Sequence, residues 1–150
     1  MALKVTRREQ DGISILELTG RLTFGPEDIL LNDEIRHAIA ARRVRLVVDL
    51  AEVDKMDSAG LGTLLYARAE LRRAGGSLAL ANLKPAHLKT LLVAKLETVF
   101  DVFGSELDAI NSFYPERQVP RYDLLELVTS IREAKAAPQL RRASQLVRLS

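Results

Sequence analysis

The stretch best suited to chemistry in this sequence is a serine set between an acid and small residues. Asp57-Ser58-Ala59-Gly60-Leu61-Gly62 follows the apolar run Leu46-Val47-Val48-Asp49-Leu50, which reads as a buried strand. It leads into Leu61, Leu64, Leu65 and Leu71, which read as one face of a helix. The hydroxyl of Ser58 therefore falls near a helix N-terminus, where unpaired backbone N–H groups favour an oxygen or an anion. Gly60 and Gly62 leave little bulk around it. Two uses are open on spacing alone: a helix-capping serine, worth about 1 kcal/mol, or an accessible alcohol that takes a phosphate or meets a partner at close range.

Other chemistry is sparse. Asp49, Asp54 and Asp57 cluster around the predicted strand end, where carboxylates can hold Mg²⁺; a turn with Asp57 or Ser58 capping the helix explains the same residues. Gly60-x-Gly62 lacks the lysine and the wider glycine spacing of a phosphate-binding loop. His37 and His87 have no ligand-like spacing and neither neighbours a plausible nucleophile in sequence. With no catalytic constellation, the expectation is a protein without enzymatic activity, cofactor or metal. There are no cysteines among the 150 residues, which excludes disulfides and thiolate metal sites.

The elements that must hold Ser58 follow from periodicity. Residues 3–9 and 13–22 read as a hairpin around Gln10-Asp11-Gly12, with Leu16, Leu18 and Leu22 on one face of the second strand and Glu17, Thr19 and Arg21 on the other. Gly25-Pro26-Glu27-Asp28 opens a helix that Leu31, Ile35, Ala38 and Ile39 carry to about Arg42. Residues 45–50 are the buried strand, and the helix after Ser58 runs to Gly75-Gly76. A strand over 77–82, a helix from Pro85 to about Ala94, a strand over 98–103 and a short helix capped by Ser105 complete the pattern. The order β-β-α-β-α-β-α-β-α predicts an α/β fold with a mixed sheet: parallel crossovers, an antiparallel edge, and helices mainly on one side.

Beyond residue 113 the character of the chain changes. Residues 1–113 carry 15 basic and 16 acidic side chains, whereas residues 114–150 carry 7 and 4. The net charge of +2 is thus a property of the tail, too small an excess to argue for nucleic acid. Leu124, Leu127, Val128 and Ile131 mark an extra amphipathic C-terminal helix over about 121–137, followed by a basic, flexible tail over 138–150. The apolar stripe of that helix is expected to pack on the sheet's open face or to pair two copies as a homodimer. No stretch approaches the ~18 apolar residues that span a membrane, and the N-terminus does not read as a signal peptide, so a cytoplasmic location is expected.

The run from Val47 to Gly62 resembles the signature of STAS domains, in particular the bacterial anti-sigma factor antagonists. A strand ending Val47-Val48-Asp49-Leu50 leads through Ala51-Glu52-Val53-Asp54-Lys55-Met56 into Asp57-Ser58-Ala59-Gly60-Leu61-Gly62. Leu18-Thr19-Gly20-Arg21-Leu22, Gly75-Gly76-Ser77-Leu78 and Leu96 to Phe103 resemble further family segments, so the likeness covers about residues 3–113. It implies that Ser58 is the phosphoacceptor. The implied partners are an anti-sigma factor that is also a serine kinase, bound by the unphosphorylated form so that a sigma factor is freed, and a metal-dependent serine phosphatase that resets the switch. The expected contact surface is Thr23, Phe24, Asp54, Lys55, Met56, Asp57, Ser58, Ala59, Gly60 and Gly62. Ala59 stands where members often carry a second hydroxyl, leaving Ser58 the sole acceptor in the motif; Thr23 stands where some carry an aspartate. The alternative on the same fold is a ligand-sensing or scaffold module in which Ser58 only caps the helix.

Overall fold

The computed structural model describes residues 2–96, 98–117 and 119. Five strands, β1 (Lys4–Gln10), β2 (Ile13–Leu22), β3 (Arg45–Met56), β4 (Ser77–Ala81) and β5 (Asp101–Phe103), form one sheet in the order β1-β2-β3-β4-β5. β1 pairs with β2 antiparallel and every later neighbour is parallel. Helices α1 (Pro26–Ala40), α2 (Ser58–Arg73) and α3 (Pro85–Val93) make the three crossovers, and α4 (Glu106–Asn111) follows β5. The parallel strands advance across the sheet in sequence order without reversing. Right-handed crossovers then place all three connecting helices on the same face.

The two faces are accordingly unequal. The larger core cluster lies under the crossover helices and combines Leu16, Leu18 and Leu22 of β2 with Leu31 and Ile35 of α1, Leu64 and Leu71 of α2, and Leu88 and Leu91 of α3. A smaller cluster on the opposite face joins Ile13, Ile15, Val47, Ala79 and Phe103 to Ala109 and Ile110 of α4. Phe113, Tyr114 and Val119 pack against it, so the boundary expected at residue 113 falls within continuous packing. β2 was expected to bury one face only. It buries both over its first residues, because this second cluster covers Ile13 and Ile15. The expected helix over about 121–137 and tail over 138–150 lie outside the described residues.

Element boundaries differ most at β3. The sequence predicts a strand over 45–50, but the strand continues to Met56. β2 is long enough to pair with the extension, matching Thr19 to Glu52, Gly20 to Val53, Arg21 to Lys55 and Leu22 to Met56. Register shifts at Glu17/Thr19 and Gly20/Arg21 accompany it and break the simple alternation by which a strand is recognised. β5 is shorter than the expected 98–103, covering three residues.

No helix among the described residues is long and apolar enough to cross a membrane.

Candidate functional site

The longer β3 carries the chain to where β2 ends and α2 begins. Met56, opposite Leu22 in the parallel register, is the last strand residue; Asp57 then caps α2 with an extended backbone, φ −104° and ψ −175°. Its Oδ1 accepts from the Gly60 amide at 2.9 Å, and its Oδ2 accepts from the Phe24 amide at 3.1 Å. The Asp57 amide donates to the Leu22 carbonyl at 3.3 Å, and the Asp57 carbonyl accepts from the Leu61 amide at 3.0 Å. One residue thereby ties the helix start to the β2–α1 loop. Burial works against its charge, but the amides of Gly60, Phe24 and Ala59 outweigh that and hold the carboxyl below its ordinary pKa.

Since Asp57 is the cap, Ser58 is not. Ser58 is the first residue of α2 and is exposed. Its side chain enters no hydrogen bond among the described residues. An alcohol with no structural task stands at the surface on the positive end of a sixteen-residue helix.

The two glycines of the motif serve different ends. Gly60 is buried, and a Cβ there would lie 2.0 Å from the Leu22 carbonyl oxygen. Only glycine lets the first turn of α2 sit this close to β2. Gly62 is exposed, with no atom within 4 Å of where a Cβ would stand, so the fold itself gives no reason for glycine.

The expected contact residues divide. Ser58, Phe24, Asp54, Lys55 and Gly62 are exposed, while Thr23, Asp57 and Ala59 are half-buried. Phe24 is the most open, at 82% exposure. Met56 and Gly60 are buried and present nothing to a partner. Met56, 8% exposed, points into the larger core because the strand's alternation runs through it.

The three aspartates do not converge. Asp49 lies within β3, buried on the α4 face, where it accepts from Asn82 Nδ2 at 3.1 Å and the Ala51 amide at 2.9 Å. Against the cost of burial, hydrogen bonding with Glu106 and these two donors holds its carboxyl below the ordinary pKa, and the same contact with Asp49 holds Glu106 above its own. Asp54 is exposed and pairs loosely with Lys84 at 3.8 Å. Among the described residues no three acidic, histidine or cysteine side chains gather as metal ligands would.

Two residues beside Ser58 escaped the sequence reading. Leu65 was placed on the buried face of α2, yet it is 36% exposed, and Tyr66 is 44% exposed. At about 100° per residue, Ser58, Gly62, Leu65, Tyr66 and Ala69 share one strip of the helix, opposite the strip formed by Leu64, Ala67 and Leu71. Helical angle, rather than the count of leucines, is the signal that separates Leu65 from its neighbours.

A five-stranded sheet with one antiparallel edge, crossover helices on a single face and a serine opening the second of them defines the class. Residues 4–109 match the STAS domain family model, and the chain belongs to that family. It is 25% identical over 112 residues to an anti-sigma F factor antagonist of Paenibacillus polymyxa, covering 74% of this chain and 95% of that protein. A STAS-domain-containing protein of Pseudomonas aeruginosa is 32% identical over 87 residues, covering 58% and 84%. In architecture the chain is similar to the anti-sigma factor antagonist SpoIIAA in its unphosphorylated form, with a TM-score of 0.58 at 20% identity over 76% of this chain and 99% of that one. The Bacillus protein of that name in its phosphorylated form gives a TM-score of 0.58 as well, at 20% identity over 73% and 99%.

Proposed function

We propose that this protein is an anti-sigma factor antagonist switched by phosphorylation of Ser58. Without phosphate it docks an anti-sigma factor that is also a serine kinase, and a sigma factor is set free. The kinase then transfers a phosphoryl group: Ser58 Oγ bonds to the γ-phosphorus of ATP, the bond to the ADP oxygen breaks, and the hydroxyl proton passes to a base on the kinase. A metal-dependent serine phosphatase hydrolyses the ester and restores docking. The observation that carries this reading is the division of labour at the helix start: Asp57 does the capping, and the Ser58 hydroxyl is exposed and uncommitted. The same observation removes the reason for the alternative, since a scaffold serine that merely caps has no cap to make. The names of the curated relative and of SpoIIAA, the latter also described in a phosphorylated form, support the same role.

The switch acts locally. Phosphate brings about −1.5 to −2 charge to a turn that already holds the Asp57 carboxylate and lies within reach of exposed Asp54. Helix dipole and solvent tolerate that in the free protein. In a close-packed interface the group must be desolvated, and a penalty of ~3 kcal/mol corresponds to roughly a hundredfold in affinity. Thr23, Phe24, Asp54, Lys55, Ala59 and Gly62 supply the surface around it, with Met56 and Gly60 acting from beneath.

Incubation with purified anti-sigma serine kinases of the source organism and ATP, followed by intact-mass analysis, tests this. One phosphate is expected on the wild type and none on Ser58→Ala. The kinase that adds it binds Ser58→Asp far more weakly than wild type; equal affinity for the two would refute the switch.

A further inference from the structure

Any enzyme that reaches Ser58 Oγ lies over the start of α2, and the surface there continues along the helix. Ser58, Gly62, Leu65, Tyr66 and Ala69 are all exposed, and they form an uncharged strip about 16 Å long at 1.5 Å per residue. Phe24, held beside its first turn by the hydrogen bond to Asp57, extends it at one end. Three features set this strip apart from an ordinary solvated helix face. It carries no charge, although α2 has Arg68, Glu70, Arg72 and Arg73 on its other positions. It exposes two large apolar side chains in successive positions, Leu65 and Tyr66. It also keeps a mid-helix glycine that no neighbouring atom requires, at a cost of about 0.5–1 kcal/mol relative to alanine.

Area decides how far the partner's contact must run. A specific protein–protein interface takes about 800 Å² and roughly 20–30 residues from each side. The exposed loop residues around Ser58 fall well short of that number, so a stable complex needs adjoining surface. The strip is the apolar adjoining surface that begins at the serine itself. We propose that the kinase acting on Ser58 docks along the α2 strip as far as Tyr66, with an apolar surface whose backbone comes close at Gly62. Docking energy is then drawn from Leu65 and Tyr66, two turns away from the reacting oxygen. This rests on the reading of Ser58 given above and adds the footprint.

The test uses the full chain and the purified kinase found to phosphorylate Ser58. In Leu65→Ser/Tyr66→Ser, calorimetric affinity is expected to fall roughly tenfold or more, as for hot-spot truncation. The KM for phosphorylation should rise similarly while kcat stays within about twofold, the pattern of lost ground-state binding. Gly62→Leu is expected to weaken binding with the fold intact by circular dichroism, and it decides the matter alone if the double variant fails to fold. Wild-type affinity and KM in the folded variants would overturn the docking strip. So would a change in sedimentation of the free protein with kinase affinity unaltered, which would make the strip a seat for a second copy. Normal phosphorylation of Ser58 combined with unaffected variants sinks the strip alone. A wild-type chain that takes no phosphate from any of the kinases sinks the reading of Ser58, and the strip with it.

Discussion

At Asp57 burial and hydrogen bonding oppose each other, and hydrogen bonding wins. A carboxyl whose pKa is lower in the folded chain than its usual ~3.9 stabilises the fold above that value and loses its contribution as pH falls through the folded pKa. Asp57→Ala is therefore expected to lower stability in urea by about 1 kcal/mol at neutral pH, the usual worth of an N-cap, and to flatten the dependence of stability on pH below 4. Ser58 beside it should behave in the opposite way. With its side chain in no hydrogen bond among the described residues, Ser58→Ala is expected to change stability by less than about 0.5 kcal/mol while removing the phosphate acceptor, as melting and intact-mass measurements would show. The sequence placed the functional motif at a helix start but left open which of the two residues caps it. Both types cap well, and only the hydrogen bonds to Gly60 and Phe24 distinguish them.

α2 and β3 meet through contrasting glycines. Gly60→Ala would press a methyl group against the Leu22 carbonyl, and overpacking of that kind costs about 1–3 kcal/mol. Gly62→Ala meets open space and should stabilise by about 0.5–1 kcal/mol. Urea unfolding of the pair is expected to move in opposite directions; a destabilised Gly62→Ala would mean that the strip is constrained within the fold. The order and kind of the elements were readable because leucine and valine periodicity is strong in α1, α2 and β4. The end of β3 was not. Glu52, Asp54 and Lys55 look like a turn, and nothing local announces that β2 runs alongside to pair with them across shifted registers. The same limit misplaced Met56 at the surface and gathered three aspartates that the strand in fact spreads apart.

In the whole molecule, sequential strand order forces three helices to one face and leaves α4, with Phe113, Tyr114 and Val119, to close the other. Both core clusters are complete by residue 119. A chain ending there is expected to keep its circular dichroism per residue in the helical and strand bands and to unfold cooperatively in urea; loss of cooperativity would assign a structural role to residues 120–150. The change of charge near residue 113 was visible in sequence, but the role of Tyr114 and Val119 was not, because their partners Ile13 and Ile15 lie more than 90 positions earlier in the chain. A last consequence follows from the twin hydrogen bonds of Asp57. Because one carboxylate holds both amides, the loop bearing Phe24 and the first turn of α2 melt as a single cooperative unit, and solvent gains entry to both or to neither.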